Sequence, residues 1–176
     1  MKIIIPFCLL AFVFSSCLIH IVSGNDYKHL HPSYKAIISK LTSFDSVENR
    51  KIYEINGLQL REELAKHDSA LVYFYFPRCT GPACVPLSFY DNYAKEHQLK
   101  LFIVATTFSG IEENYMQPFE YPLFAVDADY YGVNKYRKYN PAFKKDLLST
   151  EEEVTSKIFV FHKDSLARTM TSLENI

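Results

Sequence analysis

Two cysteines separated by four residues are the side chains best suited to chemistry in this chain. They sit in "YFYFPRCTGPACVPLSFYDNY" (73–93), as Cys79 and Cys84. A run of β-formers leads into them, and a helix-like pattern follows. Three chemistries are open to such a pair. Two thiols can exchange with external disulfides, because a thiolate attacks a disulfide sulfur. They can contribute soft ligands to a metal. They can also close a small structural staple, worth about 2 kcal/mol in the chain-entropy description.

The rest of the chain bears on that choice. It has 176 residues, which suits one domain, with 48% hydrophobic and 22% charged residues. Aromatics reach 15%, all Tyr and Phe, and Trp is absent. The net charge of −1 gives no basic patch of the kind a nucleic-acid binder needs. The six histidines form no H-E-x-x-H or H-x-x-E-H group, so a zinc hydrolase is unsupported. No Walker loop and no G-x-G-x-x-G occur.

Residues 1–24, "MKIIIPFCLLAFVFSSCLIHIVSG", carry one basic residue, Lys2, and then an almost wholly apolar run from Ile3 to Val22. That pattern reads as an export signal or a membrane anchor. Three outcomes are considered, in this order: cleavage after Gly24, lipidation at Cys17 in "FSSC", and retention as an anchor. Each places the domain outside the cytoplasm, in a periplasm or tethered to a membrane by its N-terminus. Cys8 and Cys17 belong to this segment, which leaves Cys79 and Cys84 for the folded part. In an oxidising compartment, neighbouring thiols pair readily.

The elements that must position the pair follow from periodicity. Tyr34, Ile37, Ile38 and Leu41 recur at helical spacing behind Pro32, which predicts a helical extension within 25–50. "KIYEI" (51–55) reads as a strand, and "LQLREELAKHD" as an amphipathic helix. "ALVYFYF" (70–76) is a continuous β-branched and aromatic run, as in a strand buried on both faces. Helical spacing returns at Leu87, Tyr90 and Ala94. "LKLFIVATTF" (99–108) is a second buried strand, "IEENYMQPF" a short helix, and "YPLFAVDADYYG" a third strand with a turn. In "VNKYRKYNPAFKKDLLSTEEEV", Ser149 and Glu152 stand at capping-box spacing. "KIFVFHKDSLARTM" reads as a hairpin. The alternation predicts an α/β sandwich with parallel central strands. Such sheets keep their sites at the carboxyl ends of the strands, where Cys79 falls.

From about Lys51 to Met170 the chain resembles the thioredoxin-like superfamily, and within it the exported thiol-disulfide redoxins. The resemblance rests on "ALVYFYF" entering a paired-cysteine loop at a helix start. "LFIVATTF", "FAVDADYYG" and the hairpin "KIFVFHKDSLART" support it. It implies a thioredoxin-like α/β/α sandwich with a central mixed sheet over residues 51–176. It also implies thiol-disulfide exchange without a cofactor. The partners would be exported protein thiols and disulfides or a membrane electron donor. Cys79 would be the nucleophile, its thiolate favoured by a helix N-terminus and by Arg78. Cys84 would be the resolving thiol, with Pro77, Gly81 and Pro82 shaping the loop. The chain departs from the family in four places. The loop is C-x-x-x-x-C rather than C-x-x-C. Arg78 replaces the usual aromatic. Thr155 takes the position of the family's cis-proline. The six residues after Met170 leave no room for its last helix.

Other readings stand beside this one. A peroxiredoxin-like site would use Cys84 seven residues after Pro77, with Gly81 where that family has threonine and Thr80 one residue early; the family's distant arginine has no clear counterpart, although Arg137 and Arg168 are available. A copper-handling factor would use Cys79, Cys84 and His162, with a spacing one residue longer than its family's. A degenerate domain would keep a structural disulfide and serve as a binding module. The tyrosines of "DADYYGVNKYRKY" (127–139) are expected to cover a helix surface. Asp127 and Asp129 are expected to do turn chemistry.

Overall fold

A computed structural model describes residues 24–79, 81, 84–115 and 121–173. Residues 1–23, with Cys17, lie outside the described residues, as do Thr80 and Pro82. Seven strands form one sheet. In chain order they are β1 (Ile38–Lys40), β2 (Ile52–Ile55), β3 (Ala70–Tyr75), β4 (Lys100–Ala105), β5 (Leu123–Val126), β6 (Ile158–His162) and β7 (Ser165–Met170). Their spatial order is β1-β2-β5-β4-β3-β6-β7. The first five in that order run parallel. β6 is antiparallel to β3, and β7 to β6, closing the predicted hairpin. The sheet is therefore mixed, and β3 is flanked on both sides.

That position explains the composition of β3. All six of its residues are buried. Leu71, Tyr73 and Tyr75 belong to the core on one face, and Ala70, Val72 and Phe74 to the core on the other. A strand buried on both faces must be apolar throughout, which is why it reads as an unbroken run.

Helices cover both faces. α2 (Gly57–Leu64) and α5 (Tyr136–Leu148) bring Leu60, Leu64, Tyr139, Phe143 and Leu147 to one core. α3 (Leu87–Glu96) and α4 (Ile111–Tyr115) bring Leu87, Tyr90, Ala94 and Ile111 to the other. Three layers result. α2 begins at a capping box: Asn56 Oδ1 accepts from the Gln59 backbone N–H, and Gln59 Oε1 accepts from the Asn56 backbone N–H.

Three expectations need correction. The predicted N-terminal helix is one turn only, α1 (Pro32–Lys35). Ile38 instead enters β1 and pairs with Ile52, so the segment extends the sheet. Sheet pairing offered to Ile38–Lys40 outweighs a helical pattern too short to hold itself. Ser149 does not open a helix: it ends α5 in a left-handed conformation, φ 51°. Tyr131 and Tyr139 are not surface cover. Tyr131 Oη accepts from the Gly57 N–H and donates to Asp146, and buried Tyr139 donates to the Thr106 carbonyl at 2.7 Å. Asp127 does turn chemistry as expected, accepting the backbone N–H groups of Asp129 and Tyr130 at 3.1 Å each.

Gly57 sits where α2 meets α5. A Cβ there would run into the Phe143 carbonyl and come within 2.7 Å of Asp146 Cβ and 2.9 Å of Leu147 N. Backbone cannot yield as a side-chain tip can. Gly57→Ala is expected to destabilise the domain by about 1–3 kcal/mol, the usual range for overpacking. Urea unfolding should show a lower midpoint with an unchanged slope.

Candidate functional site

Cys79 and Cys84 form a disulfide, with their Cα atoms 5.7 Å apart. The bond sits just beyond the carboxyl end of β3. A tight turn carries the chain out of the strand, the Cys79 N–H donating to the Phe76 carbonyl at 3.1 Å. A second turn closes the loop, the Cys84 N–H donating to the Gly81 carbonyl at 2.9 Å. The two residues are not equivalent. Cys79 is exposed, whereas Cys84 is half-buried. Cys84 Sγ also accepts from the Gly81 backbone N–H at 3.2 Å.

The expected helix dipole at Cys79 is not there. α3 starts at Leu87 with Pro86 as its N-cap, so neither cysteine lies on the first turn. The cause is local: a residue before proline is pushed out of the helical region, and Val85 precedes Pro86. Arg78 is exposed beside Cys79, and Pro77 is buried beneath the turn. Gly110, φ 80°, lets the loop after β4 close on this turn. A Cβ there would stand 3.2 Å from Arg78 Cα.

Beneath the disulfide is a cavity of about 110 Å³, lined by Tyr73, Tyr75, Cys79, Cys84, Val85, Pro86 and Leu87. The Tyr73 ring stacks on Tyr90 at 3.7 Å. Burial pushes both phenols above their ordinary range. Tyr75 is 5% exposed, and its hydroxyl has no hydrogen-bond partner among the described residues. Sequence reasoning missed Tyr75, because nothing in "ALVYFYF" separates its third aromatic ring from the others.

The remaining candidates disperse. Phe161 pairs with Ala70, so His162 lies at the amino end of β3, the opposite end from the cysteines. It cannot join them on one ion, and no group of three metal-ligating side chains occurs among the described residues. Arg137 and Arg168 do not line the cavity. Thr155 lies in the segment leading into β6. The Phe74 N–H donates to the Lys157 carbonyl at 2.7 Å, and continuing that register brings Thr155 alongside Phe76. This segment is held from the other face by Lys144, whose ammonium donates to the Val154 and Ser156 carbonyls at 3.0 and 2.7 Å. Burial lowers the Lys144 pKa to about 8.

A second polar group occupies the same sheet edge. Lys40 ends β1 and pairs with Asp127 at 3.0 Å, just past β5, and with Asp129 at 3.8 Å. Glu54, on β2, lines a cleft of about 650 Å³ with Asp129, Asn134 and Tyr27. Burial, reinforced by Asp127 and opposed by Lys40, raises its pKa to about 7.

Comparison with known protein families, with curated proteins and with solved structures finds no match to this chain. Among the described residues no helix is long and apolar enough to cross a membrane.

The Glu54 shift has a definite sign. Its ordinary value is 4.5, and its folded value is about 7. Between those limits the folded protein holds a proton that the unfolded chain has released. Stability is therefore expected to fall as pH rises from about 4.5 to 7, and to be flat in this respect above 7. Glu54→Gln should remove that slope. Urea unfolding at pH 5 and pH 8 checks it: the stability advantage of the variant should be present at pH 8 and shrink towards pH 5.

Proposed function

We propose that this is a thioredoxin-like thiol-disulfide oxidoreductase, working through Cys79 and Cys84 on the thiols and disulfides of exported proteins. The observation that carries the reading is the asymmetry of the pair. A disulfide at the carboxyl end of the central strand joins an exposed residue, Cys79, to a half-buried one, Cys84, whose sulfur accepts a backbone N–H. The order β5-β4-β3-β6-β7, with the cysteine strand between a parallel neighbour and an antiparallel hairpin, supports the fold assignment. The apolar leader supports an exported setting.

The chemistry follows from the asymmetry. In the oxidised protein, a partner thiolate attacks the sulfur of exposed Cys79. The Cys79–Cys84 bond breaks, a mixed disulfide forms at Cys79, and Cys84 leaves as a thiolate under the Gly81 N–H. A second partner thiolate then attacks the partner sulfur of the mixed disulfide, which releases an oxidised partner and the reduced pair. In the reverse direction Cys79 attacks a partner disulfide, and Cys84 resolves the product. The late start of α3 favours a second reading, a binding module with a structural disulfide, because it leaves both sulfurs without first-turn N–H donors.

Equilibration with glutathione buffers separates the two. A reduction potential between about −270 and −120 mV supports exchange; a value below about −300 mV makes the bond a staple. Cys79→Ser should reduce insulin disulfides no faster than the reductant alone. A variant that kept the native rate would remove Cys79 as nucleophile.

A further inference from the structure

We propose that the Tyr75 hydroxyl is a hydrogen-bond donor to the Cys84 sulfur once the disulfide opens, holding it as a thiolate. This deepens the exchange reading and rests on it. Three observations carry it. The Tyr75 oxygen is buried and lacks a partner among the described residues, whereas buried hydroxyls are ordinarily satisfied. Its ring lines the same cavity as both cysteines. The neighbouring phenol, Tyr73, has its ring stacked on Tyr90 at 3.7 Å.

The cavity gives the donor a use. While the bond is closed the two sulfurs are about 2 Å apart; once it breaks they must move to van der Waals separation. Both cysteines line the cavity of about 110 Å³; Cys79 is the more exposed residue and is held by its turn, which leaves that space for the sulfur of half-buried Cys84. When a partner thiolate takes Cys79, the electron pair of the broken bond stays on Cys84. The Gly81 N–H supplies one donor to that sulfur. Tyr75 supplies a second and keeps its proton throughout. Charge-assisted bonds of this kind are the stronger ones. The ionisable groups around Tyr75 are Tyr73 on its own strand, Tyr90 beyond it on α3, and Glu113 on α4, whose charge raises the Tyr75 pKa as burial does. Burial keeps the phenol protonated across the working range, as a donor must be.

The test uses the full-length chain with Cys79→Ser, so that Cys84 titrates alone among the folded cysteines. The probe is iodoacetamide, and the readout is the pH midpoint of Cys84 alkylation. Tyr75→Phe keeps the ring and removes the donor. It should raise the midpoint and slow alkylation at pH 7 by about tenfold, the scale expected for a hydrogen bond to a charged group. 3-Fluorotyrosine incorporated at Tyr75, a stronger donor, should shift the midpoint the opposite way. In the two-cysteine protein, Tyr75→Phe should shift the glutathione equilibrium about tenfold towards the disulfide, which is about 30 mV. An unchanged midpoint in both variants, or shifts of the same sign in both, overturns the proposal. The midpoint does not depend on exchange activity. Opposite shifts with a potential below about −300 mV would keep Tyr75 as donor while removing the exchange reading. Unchanged midpoints with active exchange would remove Tyr75 alone.

Discussion

The pairing of β3 with β4 is the constraint on which the rest of the architecture depends. Six residues run in parallel register, from Ala70 opposite Lys100 to Tyr75 opposite Ala105. Thr106 then extends the ladder by one rung, donating both its N–H and its hydroxyl to the Tyr75 carbonyl at 2.8 and 3.1 Å. The Thr106 carbonyl in turn accepts from the Tyr139 hydroxyl and the Asn140 amide. One peptide thus joins the end of the cysteine strand to its neighbour and to α5. The loop bearing the disulfide leaves from a point tied to two neighbouring elements by partly buried hydrogen bonds.

Around that point the chain gathers distant segments. Thr107 donates to the Gly24 carbonyl, the Phe108 N–H donates to that of Asn25, and Asn25 N–H donates to that of Asn134. Tyr27 packs edge-on against Phe108 at 5.6 Å. The first described residues therefore lie across the carboxyl edge of the sheet, over the loops after β4 and β5. Because all five parallel strands end on this edge, the disulfide, the Glu54 cleft and this strap share one side of the molecule.

Much of this was legible in the sequence. The apolar run of β3, the second strand, the hairpin and the position of the cysteines follow from burial, and burial writes itself into residue type. What was not legible depended on partners far along the chain. Ile38–Lys40 becomes a strand because β2 offers it an edge, which no local pattern records. Pro86 moved the helix start past both cysteines; the hydrophobic spacing, which begins at Leu87, agrees with that start, and it was the family resemblance that put Cys79 at a helix N-terminus. Tyr75 and Glu54 acquire their character from burial in a finished fold; in the sequence one is a strand tyrosine and the other an ordinary acid between two strand hydrophobics.

The outer strands bear on a different matter, self-association. An open sheet offers unpaired N–H and C=O groups at each side, and a long flat edge would recruit a second copy of the chain. β1 offers only three residues, ending in Lys40 with its charge engaged by Asp127. β7 is longer and largely exposed, but the β6–β7 register breaks between Val160 and Phe161, and it carries Arg168 opposite Val160. A register break bends and twists the ribbon it interrupts. One side is too short to template another strand, and the other is charged and out of plane. The sheet can thus stay open while the molecule remains a poor seed for its own aggregation.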